Sequence, residues 1–228
     1  MPVAAGADRA EVGGPLINRA VARSLARRQA SYADEVERIV AATYEVIERT
    51  GSLDPTMRDI LRQSGISTQA FYRHFRSKDE LLLALLDDGR RRLSSYLGHQ
   101  MAKADSAEGK LRAWIEGVMA QASDAAAAAK TRPFLANLDR LAEQYPRDQQ
   151  ASVDLLISLV EGALRMQRPA MPPARVRLDA YAIYHLAIGT MHQHIRDHTR
   201  PTAAEVEQVI EFSLAAVART AKGDSRDG

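Results

Sequence analysis

The chain has 228 residues, no cysteine and a formal net charge of +2. Disulfides, zinc ribbons and thiol catalysis are therefore excluded, and a protein holding DNA by bulk positive charge would carry far more of it. Apolar residues make up 46% and aromatics 5%; Ala, Leu, Arg and Glu dominate, which favours helix over sheet.

No segment reaches the roughly 18 apolar residues that a membrane helix needs. The opening, MPVAAGADRAEVGG, lacks the basic-then-apolar order of a secretory signal, so the expected location is the cytoplasm. Gly and Pro in residues 1–15 predict a leader without regular structure. Asn18 to Gln29 is rich in Arg and Ala, either a flexible arm or a marginal helix, and residues 1–30 together read as a basic arm. Arg9, Arg19, Arg23, Arg27 and Arg28 stand there against Asp8 and Glu11. A second basic stretch, Arg58, Arg62, Arg73, Arg76 and Lys78, is opposed within residues 56–78 by Asp59 alone. Such local patches on a nearly neutral chain suit selective phosphate contact.

Helix starts are marked by a hydroxyl residue with an acid three positions later: Ser31–Asp34, Thr56–Asp59, Ser77–Glu80 and Thr202–Glu205. The hydroxyl accepts from an orphan backbone N–H while the acid reaches back toward the cap. The first helix is predicted from about Tyr32 to Thr50, with Val36, Ile39, Val40, Tyr44 and Ile47 on one stripe and Gly51 as a left-handed stop. A second spans Thr56 to Ser64 with Met57, Ile60 and Leu61 inward; Gly65 breaks it and Ile66 plugs the turn. A third begins at Ser67 and buries Phe71 and Phe75. A fourth opens at Lys78 and runs toward Tyr96. The remainder predicts helices near 107–129, 132–144, 147–168, 173–198 and 202–221, with each proline at a start or gap. No strand pattern and no internal repeat is present, so the fold class is all-α.

Two short helices joined by a glycine turn make a helix-turn-helix, whose second helix is narrow enough to enter the major groove. Its outward face here carries Thr68, Gln69, Tyr72, Arg73 and His74, groups that read base edges or hold phosphates. The same spacing also occurs in plain helical hairpins with a solvated polar face.

The segment Thr56 to Leu86, TMRDILRQSGISTQAFYRHFRSKDELLLALL, resembles the TetR family of transcription regulators. The matching features are Thr56, Ile60, Gly65-Ile66-Ser67, Tyr72-Arg73-His74-Phe75 and Ser77-Lys78-Asp79-Glu80-Leu81. Two departures are Val46-Ile47, where the family often has Phe, and a longer arm before Ser31. The resemblance implies about nine helices in two parts: a helix-turn-helix DNA-binding domain over 31–80 and a helical effector-binding and dimerisation domain over 81–228. It implies that Thr68, Gln69 and Arg73 face bases, and that Thr56, Ser67, Tyr72, His74 and Lys78 contact phosphates of double-stranded operator DNA.

The resemblance further implies a homodimer through the last two helices and a palindromic operator. On the two helices Ile183, Leu186, Ala187, Thr190 and Ile195, then Val206, Val209, Ile210, Leu214 and Val217, supply apolar faces, with Gly189 permitting close approach. An effector pocket is implied among the middle helices, where the candidates are Tyr96, Met101, Trp114, Met119, Phe134, Leu138, Tyr145, Leu159 and Met166. Their Met and aromatic character favours an apolar or amphipathic small molecule. Release of a repressor by that molecule is the family expectation; activation, or no effector at all, is the alternative. His185, His192, His194 and His198 share one helix, and His194 and His198 have a spacing that can hold a metal. An interface or solvated role is the expectation for them, with no metal and no cofactor. No Gly-rich phosphate loop, HExxH or GxSxG is present, so no enzyme is expected.

Overall fold

The computed structural model describes residues 14–51 and 54–223. Among them ten helices and no strand are present: α1 (Pro15–Thr50), α2 (Met57–Ser64), α3 (Thr68–His74), α4 (Lys78–Met101), α5 (Ala107–Ser123), α6 (Ala125–Leu135), α7 (Leu138–Gln144), α8 (Pro146–Gln167), α9 (Pro173–Asp197) and α10 (Ala203–Gly223). The part of the predicted arm at residues 1–13, which includes Arg9, lies outside the described residues.

Hydroxyl caps set several of these starts. Thr56, Ser67, Ser77 and Ser106 accept from the backbone N–H three residues on. At α10 the box is reciprocal: Glu205 N–H donates to Thr202 Oγ1 at 3.2 Å, and Thr202 N–H donates to Glu205 Oε2 at 2.7 Å. Ser31 does not start a helix. Instead α1 begins at Pro15, whose fixed φ and missing N–H suit a first helical position, and the Ala- and Arg-rich run carries it onward. Leu16, Ile17, Val21 and Leu25 are exposed along this extension.

The predicted 107–129 helix is divided at Asp124, whose side chain accepts from Ala127 N–H and opens α6. Pro133 lies inside α6 rather than at a boundary. Its missing N–H falls in the last turn, and Asn137 Nδ2 donates to the Pro133 carbonyl at 2.8 Å as the chain turns into α7.

Two apolar cores result. The head core joins Ile39 of α1, Ile60 of α2, Ala70 and Phe71 of α3, and Leu81, Leu82 and Leu85 of α4, with Phe134 and Leu141 from α6 and α7. The body core joins Leu97 and Met101 of α4 to α5, α8, α9 and α10. The residues expected to face a second subunit are largely used here. Ile183, Ala187, Ile195, Val209 and Ile210 are buried in the body core, with Leu186, Val206 and Leu214 packed against it. Periodicity located an apolar stripe on each helix correctly, but the stripe meets α5 and α8 of the same chain. The Val217 side chain lies outside the described residues.

Helices α4 and α5 approach closely at Gly117, where an added Cβ would lie 2.5 Å from Cδ2 of the fully buried Leu97. Alanine there gains about 1 kcal/mol of helix propensity against about 1–3 kcal/mol of overpacking. Gly117→Ala is expected to lower the urea midpoint with an unchanged slope.

Candidate nucleic-acid interface and central cavity

The turn between α2 and α3 is held from both sides. Gly65 adopts φ +65°, a left-handed conformation that glycine takes without a Cβ clash. Arg38 Nη2 donates to the Ser64 carbonyl at 2.7 Å, tying the turn to α1. Ile66 is buried behind it, and Ser67 Oγ accepts from Ala70 N–H at 3.1 Å to start α3. Phe71, fully buried, and Phe75 pin the inner face of α3, their rings 5.6 Å apart. The outer face is left to solvent: Thr68, Gln69, Tyr72 and Arg73 are exposed. Thr56 and Ser67, both capping residues, are exposed beside them.

Three basic groups at this face are engaged by carboxylates. Arg73 Nη2 lies 3.2 Å from Glu35 Oε2, and His74 Nε2–H donates to the same oxygen at 2.6 Å. Tyr32 completes the cluster, with the Arg73 guanidinium 5.9 Å from its ring centre and its ring edge-on to His74. Lys78, in the first turn of α4, pairs with Asp54 at 2.6 Å. The Arg73 and Asp54 ends of these pairs are open to water, where such a pair is worth little and exchanges readily for a phosphate, whereas the His74 side chain is only 9% exposed. Sequence reasoning missed Glu35, Tyr32 and Asp54, because their pairing with α3 and α4 is set by how α1 and the connection after it are placed and not by local spacing.

Between head and body lies a cavity of about 760 Å³. Tyr96, Phe134 and Leu138 stand on its wall, together with Tyr44, Leu85, Arg90, Leu93, Leu156, Tyr184, Ile188, Met191 and His192. The other candidates lie elsewhere. Met101, Trp114 and Met119 fill the body core, and Leu159 packs against it. Tyr145 Oη lies 3.4 Å from Ser77 Oγ, and Met166 is exposed on α8.

The three histidines of α9 and His198 just after it do not converge. His185 is exposed and stacks on Tyr181 at 6.0 Å. His192 faces the cavity. His194 Nδ1 meets Thr199 Oγ1 at 2.8 Å, and His198 is the left-handed C-cap. Burial first, then Arg196 and Arg90, push His192 down to about 4, so it is neutral at physiological pH.

A helix-turn-helix with a polar outer face on its second helix, set on a helical body with a central cavity, is the architecture of a DNA-binding regulator. Residues 39–85 match the sequence model of the bacterial regulatory proteins of the tetR family. This segment is a TetR-family N-terminal domain, and the chain as a whole has the TetR-family fold. A chain from Mesorhizobium loti MAFF303099 assigned to that family matches with a TM-score of 0.61 at 18% identity, over 83% of this chain and 97% of its own. The regulator FadR from Bacillus subtilis, in complex with stearoyl-CoA, gives 0.58 at 18%, over 78% and 96%. RolR, in complex with resorcinol, gives 0.60 at 12%, over 82% and 89%. No curated protein matches the sequence. Among the described residues no helix is long and apolar enough to cross a membrane.

The His74 hydrogen bond, then the charge and hydrogen bond of Arg73, hold the Glu35 carboxyl below its ordinary value of 4.5 despite an opposing effect of burial. A carboxylate depressed in the folded state stabilises it fully above the unfolded value and loses that contribution as pH falls through the depressed value. Glu35→Gln is therefore expected to flatten part of the loss of stability below pH 4.5, read as urea midpoints of both proteins across the acid range.

Proposed function

We propose that the chain is a sequence-specific, dimeric transcription regulator, a repressor that leaves a palindromic operator when a small amphipathic molecule fills the cavity. One observation carries the DNA-reading part: α3 is buried along Ala70 and Phe71 and exposes Thr68, Gln69, Tyr72 and Arg73. In the proposed complex Thr68, Gln69 and Arg73 face bases. Thr56, Ser67, Tyr72, His74 and Lys78 hold phosphates, Lys78 aided by the N-terminal dipole of α4. Glu35 and Asp54 give up Arg73, His74 and Lys78 when DNA arrives. The exposed Arg23, Arg27 and Arg28 of the α1 extension lie on the chain leading into this head and add long-range attraction to the duplex.

The effector part is supported by the cavity and by the ligands named for two proteins of the same fold, stearoyl-CoA and resorcinol. A molecule that binds the DNA-incompetent dimer better must weaken operator binding by the same factor.

The dimer forms through the solvent-exposed faces of α9 and α10 that lie opposite the body core. On α9 these are Leu178, Ala182, His185 and Gly189, which follow one another at helical spacing and are all exposed. On α10, Phe212 is 62% exposed beside Ala215 and Ala216. Two-fold pairing places the recognition helices about 34 Å apart, or somewhat more.

Binding sites selected from random duplex, then fluorescence anisotropy on selected and scrambled duplexes, test the reading. Arg73→Ala is expected to cost about 1–3 kcal/mol on the selected site and to relax one base position, whereas Lys78→Ala weakens both duplexes alike. Equal losses on both duplexes for Arg73→Ala would remove it from the base-reading set. Leu178→Glu combined with Phe212→Glu is expected to give a monomer by sedimentation velocity; a persistent dimer would move the interface elsewhere.

A further inference from the structure

The charged groups around the cavity differ in how they are compensated. Arg92 and Lys130 are exposed and paired, with Asp88 at 2.7 Å and Glu48 at 3.1 Å. Glu37 is exposed to water. Burial pushes the Tyr44 and Tyr184 phenols up, so both stay protonated, and His192 is neutral.

Arg90 stands apart. It is half-buried on α4, and among the described residues no carboxylate oxygen lies within 4.0 Å of its guanidinium. Its one described acceptor is neutral, Gln149 Oε1, at 2.6 Å. Gln149 is itself 7% exposed, and its Nε2 is buried without a partner. A smaller cavity of about 310 Å³ is lined by both residues and shares Arg90 and Leu138 with the large one. A cation and an amide donor, both short of acceptors, thus meet where the two cavities share a wall, with the Asp139 carboxylate also on the smaller one. A charge shielded from water is expensive unless paired, and a fork of guanidinium N–H groups matches two anionic oxygens.

We infer that the cavity takes an acidic amphiphile, whose anionic head sits on Arg90 with Gln149 Nε2 as a second donor. Its apolar body lies along Leu93, Phe134, Leu156, Ile188 and Met191. This rests on the reading of the cavity as the effector site and names the class of effector. The head group supplies a direct counter-charge, which the Asp87 carboxylate gives only from outside ion-pair distance, and His192 and both phenols meet the body of the molecule uncharged.

Calorimetry on the full-length protein without DNA tests this with two pairs, decanoate against decanol and cinnamate against cinnamyl alcohol. In at least one pair the acid is expected to bind about ten-fold or more tightly than its alcohol, the scale of a charge-assisted hydrogen bond. Arg90→Gln should abolish that preference, and Arg90→Lys, which cannot fork onto two oxygens, should keep only part of it. Alcohols binding as well as acids in both pairs, or no binding by either pair, overturns the inference. So does a full preference surviving in folded Arg90→Gln, or in Arg90→Lys should the glutamine variant not fold. Operator affinity measured with and without acid separates the two levels. An acid that binds through Arg90 but leaves operator affinity unchanged sinks the effector reading and spares this one; operator binding with no acid preference does the reverse.

Discussion

Helix α4 belongs to both apolar cores at once. Its first turns put Leu81, Leu82 and Leu85 in the same cluster as Phe71, and its last put Leu97 and Met101 among α5 and α8. With 24 residues it is about 36 Å long and has no proline to bend it. Everything functional is referred to this rod. Lys78 is at its N-terminus, the cavity lies along its middle, and the outward aim of α3 depends on Phe71 and Phe75 being seated beside it. Removing that seat would leave the polar face of α3 intact as sequence and lost as geometry.

In the proposed function, communication between the two ends would run through this arrangement. Arg90 stands twelve residues after Lys78 on the same helix, about 18 Å along the axis. Phe134, which closes one side of the cavity, is also a member of the head core, and Tyr44 of α1 donates to the Leu85 carbonyl at 3.2 Å from the cavity wall. A molecule in the cavity therefore touches α1, α4 and α6 together. Packed helices shift as units because their contacts are discrete and close-fitting. Displacing α4 against the body would carry the head with it and alter the distance between the recognition helices of a dimer.

Much of the head was legible in the sequence because its signals are local. Caps such as Thr56 and Ser67 act across three residues, Gly65 marks a left-handed turn, and the pair Phe71 and Phe75 shows which side of α3 is inward. The same locality misled at Ser31, where a plausible capping box sits inside a run of good helix formers and the run prevails. It misled again at Ile183, Ile195, Val209 and Ile210, since a periodic stripe says that a face is buried but not by what. Three cavity residues, Tyr96, Phe134 and Leu138, were among the candidates; Arg90 was not. A charged residue on a helix reads as a solvated one until its surroundings are known, and here they come from Gln149, fifty-nine positions away. Glu35 and Asp54 escaped notice for the same reason.

The orientation of α3 can be examined most directly by oxidative footprinting of the protein with and without a selected duplex. Tyr72, on the proposed reading face, is 55% exposed, and Tyr96, far along α4, is 42% exposed, so both react in the free protein. The account predicts that duplex DNA shields Tyr72 strongly and leaves Tyr96 as reactive as before. A Tyr72 that stays fully reactive in a saturated complex would contradict it.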